Sequence, residues 1–343
     1  MQRRAEVLDK EAAFPEQDVA TLREAGLLAA PVPERLGGLG AGTEPEGVAL
    51  AFELLRMLGR GNLAVGRLFE AHVNALRLAM RFGTAEQARR TAADALAGHL
   101  FGLWVTDSPG QGLRIANGRL AGRKGPCSGA GYCTRALVTA ETPDGKDTYM
   151  VLIALDGTEP VAGSPDAVQG MRAARNGVVD LTGVAAPDEA LVGAPGDYLR
   201  EPDFSCGAWR TTAVTLGGLD ALVEAAREQI ARRGHGDAPM QQARFGQILI
   251  AQETARLWTS HAAAVADRDG PAADRVAYVN LARLAVEAAC LDALRLVQRS
   301  LGLAAFVRPN PVERLARDLG TYLRQPAPDA VLLEAGAHGL AET

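Results

Sequence analysis

The sequence predicts an α+β chain, mostly α, in three parts: an N-terminal helical domain over residues 1–99, a middle antiparallel β domain over 100–198, closed as a barrel or sandwich, and a C-terminal four-helix bundle over 199–343. Three observations carry that expectation. Apolar residues in the first part recur three and four positions apart; the middle part breaks into short runs of period near two between turn dipeptides; the last part returns to long, alanine-rich helical stripes. At 343 residues, 48% of them apolar, the chain is long enough for two or three domains with sizeable cores.

In the first part Val19, Leu22, Leu27 and Leu28 form one apolar face, and VALAFELLRM (48–57) and AHVNALRLAMR (71–81) repeat the helical spacing. Between them the prolines and glycines of PVPERLGGLGAG (31–42) break any regular element. The middle part offers FGLWVTD (101–107), LRIANGRLAG (113–122), RALVTAE (135–141), TYMVLIAL (148–155) and NGVVDLTGV (176–184) as strands. Asn117-Gly118 and Asp144-Gly145 are hairpin pairs, because tight two-residue turns need positive φ. In the last part Phe245, Ile248, Ala251, Ala255, Trp258 and Ala262 make one stripe, and Ala277, Leu281, Leu284, Ala288, Leu291 and Leu294 another.

A net charge of −5 without a basic block disfavours a general nucleic-acid or anionic-membrane binder. The start MQRRAEVLDKEAAF lacks the apolar core of a signal peptide, and no stretch approaches the roughly 18 apolar residues of a spanning helix. Cys127, Cys133, Cys206 and Cys290 contain no CxxC pair, so a soluble cytoplasmic protein is expected, its cysteines small buried hydrophobes. The histidines show no i, i+4 pair, so no metal site is expected, and His72 reads as a core residue.

Four separated stretches resemble the acyl-CoA dehydrogenase superfamily of flavoproteins. FPEQDVATLREAGLLAAPVPERLGGLGAG (14–42) is similar to that family's N-terminal helix and PxxxGGxG turn. LWVTDSPGQG (103–112) is similar to its flavin-strand segment, MRAARNGVVDLTGVAAPDEALVG (171–193) to a barrel strand, and NPVERLARDLGTYL (310–323) to the P-x-E-R-x-x-R-D helix before the catalytic loop. The resemblance implies the same three-part fold, extended FAD between the sheet and the bundle, an acyl thioester or related acyl or sugar-linked substrate, and a homodimer or homotetramer in which the adenine end reaches a neighbouring subunit.

By the same resemblance, Trp104, Val105 and Thr106 match the first flavin-contacting strand and Ser128 the second flavin hydroxyl, with Pro126 where the family usually has tryptophan. Arg232 and Gln242 match the adenine-side signature R-x-x-F-G…Q, with His235-Gly236 in place of Phe-Gly.

The family's dehydrogenases remove an α-proton with a glutamate on the loop after the R-D pair or on the first bundle helix. The loop here offers Gln325 or Pro326, and the helix position falls near Thr211 ahead of Gly217-Gly218, so no base is found. Flavin monooxygenases of the superfamily often place a histidine in that loop; Arg324 stands there instead, a candidate that cannot act as a base but could hold an anion. The leading expectation is an FAD-dependent oxidoreductase of acyl-CoA dehydrogenase type lacking the usual glutamate. Its alternatives are a flavin monooxygenase, or a non-catalytic homologue serving as a structural or partner subunit.

Overall fold

A computed structural model describes residues 1–164 and 167–341. The chain opens with helices α1 (Gln2–Glu11), α2 (Glu16–Glu24), α3 (Val48–Gly61), α4 (Leu63–Phe82) and α5 (Ala85–Leu96). Side chains fix where two of them begin: Asn62 accepts the Ala64 N–H at the start of α4, and Thr84 and Gln87 close a reciprocal capping box on α5. Phe69, Val73 and Leu76 of α4 are buried. Its polar residues Arg67, Glu70, Asn74, Arg77 and Arg81 recur at alternating spacings of three and four, so they share another face.

The middle of the chain forms β1 (Phe101–Trp104), β2 (Arg114–Ala116), β3 (Arg119–Ala121), β4 (Arg123–Cys127), β5 (Arg135–Glu141), β6 (Thr148–Ala154), β7 (Val161–Ala162), β8 (Gly177–Asp180) and β9 (Leu191–Val192). One sheet runs β3-β2-β5-β6-β9 with β1 also on β5; a second runs β4-β8-β7. Both feed a single core, in which Val138 and Val151 of the first join Cys127 and Val179 of the second. Most neighbours pair antiparallel, as expected, and the sheet is mixed because β1 lies parallel to β5, Phe101 opposite Arg135 and Trp104 opposite Val138. Residues 105–134 are a crossover long enough to bring the chain back in the same direction. Asn117 and Gly118 both have positive φ and turn the β2–β3 hairpin.

The remainder is helical: α6 (Asp203–Cys206), α7 (Ala208–Arg232), α8 (Pro239–Ala266), α9 (Ala272–Leu301), α10 (Pro311–Tyr322) and α11 (Pro328–Ala341). α7 packs on α3 at backbone contact distance. A Cβ on Gly217 would stand 2.0 Å from the Arg56 carbonyl oxygen, and one on Gly59 2.2 Å from that of Val214. The stripe expected on α8 is largely buried, but that on α9 needs correction. Val279, Ala282, Val286, Cys290, Ala293 and Val297 face the core, whereas Ala288 and Leu291 are exposed. Apolar residues surround α9, so periodicity alone could not choose the inner face.

The P-x-E-R-x-x-R-D segment is a structural knot. Arg314 pairs with Asp318 at 2.9 Å, and Asp318 accepts the Met171 N–H at 2.7 Å. Arg317 binds Asp9 and Glu313, each at 2.7 Å, and donates to the Gln169 carbonyl. These bonds fasten α1, the loop before β8 and α10 together. Among the described residues no helix is long and apolar enough to cross a membrane.

Candidate active-site cleft

Where the ends of β1 and β4 meet α4, the start of α7 and the α10–α11 loop, a cleft of about 500 Å³ opens, within the usual range of small-molecule sites. Val105, Thr106, Pro126 and Ser128 form its sheet side. Thr106 is exposed at the end of β1, and the buried Ser128 donates its Oγ–H to Asn176 Oδ1 at 2.8 Å. Trp104 differs from its expected place: its side chain is buried in the core and its Nε1–H donates to the Ser128 carbonyl at 2.9 Å. It holds the Ser128 backbone in place and does not line the cleft.

Lys124 steadies the same wall. Its side chain is 1% exposed, and its Nζ donates to Asp107 Oδ1 at 2.6 Å, Thr139 Oγ1 at 2.9 Å and the Val105 carbonyl at 3.3 Å. Burial pulls its pKa down, and the Asp107 carboxylate opposes that shift. A lysine beside Pro126 hides β4 from pattern reading, so neither the strand nor this buried cation was foreseen.

The helical wall holds a carboxylate that sequence reasoning missed. Glu70 is 3% exposed yet lines the cleft. Arg67 and Asn74 from its own helix donate to it, and Thr211 Oγ1 donates to its Oε1 at 3.2 Å. Thr211 stands where the resemblance puts the alternative glutamate, so a carboxyl group is present there but arrives from α4. Tyr322, 6% exposed, lines the same cleft, with the Thr211 side chain beside its hydroxyl. Burial, then the Glu70 charge, raises the Tyr322 pKa well above its ordinary value, so the phenol stays a donor. Burial likewise pushes Tyr198 up to about 12.

Arg324 reaches the cleft from the loop after α10, but its guanidinium pairs with Glu287 at 3.0 Å and is 57% exposed. Gln325 and Pro326 lie beside it and bring no carboxylate. Arg232 and Gln242 are exposed and not in the cleft. Arg232 ends α7, whose 25 residues measure about 37 Å, so it stands at the opposite end of the helix from Thr211.

His72 is fully buried: Nε2 contacts the Leu28 carbonyl at 2.7 Å and Nδ1 accepts the Phe101 N–H at 3.2 Å, a core role as expected. Cys127 and Cys133 are buried, and burial pushes both thiols up to about 12. Among the described residues no cluster of three metal-ligating side chains exists. A groove of about 520 Å³ between α8 and α9 lies apart from all of these groups.

Comparison with known proteins agrees with this architecture. Residues 1–99 match the acyl-CoA dehydrogenase N-terminal domain and residues 203–323 the acyl-CoA dehydrogenase C-terminal domain. The chain belongs to the acyl-CoA dehydrogenase family. The mitochondrial short-chain specific acyl-CoA dehydrogenase of Bos taurus is 26% identical over 334 residues, covering 91% of this chain and 79% of that one. Among solved structures, glutaryl-coenzyme A dehydrogenase in complex with glutaryl-CoA superposes with a TM-score of 0.85 at 22% identity, covering 99% of this chain and 91% of that one. Dibenzothiophene monooxygenase TdsC from Paenibacillus sp. A11-2, also solved with FMN bound, gives 0.85 at 21% identity, covering 100% and 94%.

Proposed function

We propose that the chain is a flavin-dependent oxidoreductase of acyl-CoA dehydrogenase type, binding FAD and acting on an acyl thioester or a related acyl intermediate. One observation carries this reading: a buried carboxylate, Glu70, lines the same cleft as the hydroxyls of Thr106 and Ser128. The residues present fit a flavin ring, since Val105 and Pro126 offer an apolar wall and the two hydroxyls a polar edge. Bound there, the flavin supplies a two-electron acceptor. Glu70 is the group that takes a proton from the substrate carbon beside the carbonyl, while Thr211 and Asn74 hold its carboxylate in place. The Tyr322 hydroxyl, kept protonated by burial, is a donor suited to charge growing on that carbonyl oxygen.

Arg232 and Gln242, far from the cleft of their own chain, suit the adenine end of a cofactor held by a neighbouring copy. The exposed Ile250, Leu257 and Leu291 on the outer face of the bundle support a homo-oligomer. A second reading, a flavin monooxygenase, is favoured by the absence of any carboxylate on the 323–326 loop.

Anaerobic titration of flavin-loaded protein with acyl-CoAs of graded length tests the proposal. The flavin band should bleach without an external reductant, and Glu70→Gln should slow bleaching at least about 100-fold while flavin stays bound. Bleaching only by an external reductase, with oxygen consumed, would favour the monooxygenase. Failure to bind flavin at all would leave a non-catalytic partner subunit.

A further inference from the structure

The arginines lining the cleft are not equally compensated. Arg67 pairs with Glu70, Arg77 with Asp203 and Asp267, Arg81 with Asp203, and Arg324 with Glu287. Arg210 and Arg283 also line it, and neither has an ion pair among the described residues. Arg210 is the more deeply set at 4% exposed, in the first turn of α7. Its Nε donates to Asn74 Oδ1, and its two Nη groups have no partner among the described residues. Gly207 makes room for them, since a Cβ there would stand 3.0 Å from Nη2.

Burial, and then the charge of Arg77, pulls the Arg210 pKa down to about 10, so the group remains a cation at neutral pH. Glu70 and Asp267 act on it from a distance, each already bound to another arginine. A buried guanidinium with an unused fork of N–H groups is matched by a carboxylate or phosphoryl group, which accepts two parallel hydrogen bonds. Without such a partner, the desolvated cation has only the Trp209 ring, whose centroid is 5.4 Å away, and carboxylates already bound elsewhere to offset it. Asn74 joins Arg210 to Glu70, so the anion's seat lies one side chain away from the carboxylate that takes the proton.

We propose that Arg210 is the receptor for an oxyanion carried by the substrate, a carboxylate or phosphoryl group placed a few bonds from the carbon that Glu70 faces. The enzyme therefore selects an anionic substrate. The assignment of that oxyanion to a substrate rests on the oxidoreductase reading; the existence of the anion seat does not.

Calorimetric titration of the full-length protein, with and without flavin, against inorganic phosphate and against succinate tests it. Wild type should bind at least one of them saturably. Arg210→Gln should weaken that binding at least tenfold, Arg210→Lys should retain more of it than Gln does, and Arg256→Gln, exposed on α8, should leave it unchanged. If Arg210→Gln does not fold, the wild type still decides. A phosphate-free N-acetylcysteamine thioester ending in a carboxylate should displace the anion, and its methyl-ended counterpart of equal length should not. Absence of anion binding, or wild-type affinity in Arg210→Gln, overturns the seat. Displacement by FMN but not by riboflavin overturns the substrate assignment and gives Arg210 to the flavin's phosphate. Anion binding through Arg210 in a protein that never takes up flavin would sink the oxidoreductase reading alone; flavin bleaching without anion binding would sink this one alone.

Discussion

His72 ties the rotation of α4, and with it the polar stripe facing the cleft, to the sheet. Burial pushes its pKa from 6.5 down to about 4. The unfolded chain therefore takes up a proton near pH 6.5 that the folded chain refuses until about pH 4. Stability from this residue is complete above pH 6.5 and is lost as pH falls toward 4. A shift of that size corresponds to about 3 kcal/mol at 1.36 kcal/mol per unit. Protonation of Nδ1 also removes the acceptor of the Phe101 N–H. His72→Phe strands that N–H and the Leu28 carbonyl, about 1–3 kcal/mol each at neutral pH. The variant has no proton to refuse. In urea denaturation followed by far-UV circular dichroism from pH 7.5 to 4, the gap between wild type and variant should shrink by about 3 kcal/mol. A gap that stays constant across that range would show that His72 titrates normally, and would refute the buried, neutral ring docking α4.

Two other perturbations probe the scaffold. Lys124→Met removes three hydrogen bonds but also a buried charge, so stability should change by less than about 2 kcal/mol while flavin binds several-fold more weakly, because the Val105–Asp107 wall loses its strut; unchanged flavin affinity in a titration would count against that role. Gly217→Ala forces a methyl to within 2.0 Å of the Arg56 carbonyl oxygen, so α3 and α7 must separate, costing at least about 1–3 kcal/mol in thermal or urea unfolding; a neutral result would mean the crossing is looser than described.

The fold was legible because the changes of period at about residues 100 and 200 are large, and because Asn117-Gly118 and the capping residues act locally. The parallel pairing of β1 was not, since register across a thirty-residue crossover is set by the whole sheet and leaves no local mark. In the cleft, Val105, Thr106 and Ser128 were found through a motif read along the chain. Glu70 and Arg210 were missed because neither belongs to a motif. The stripe Arg67, Glu70, Asn74, Arg77, Arg81 has the spacing of an ordinary solvated helix face. One signal was available: such a stripe on a helix otherwise as apolar as α4 needs a wet surface inside the molecule. Arg232 and Gln242 came from sequence likeness alone, and the single chain places them far from the cleft.

The proposed function requires that this cleft hold a flavin. The direct measurement is the visible spectrum of the purified protein, with heat-released ligand identified against FAD and FMN and its ratio to protein determined. Flavin absorbance and about one FAD per chain are expected, both lost or sharply weakened in the Thr106→Ala, Ser128→Ala double variant. A protein that is colourless as purified, and stays colourless with no gain in thermal stability after incubation with excess FAD or FMN, would contradict it.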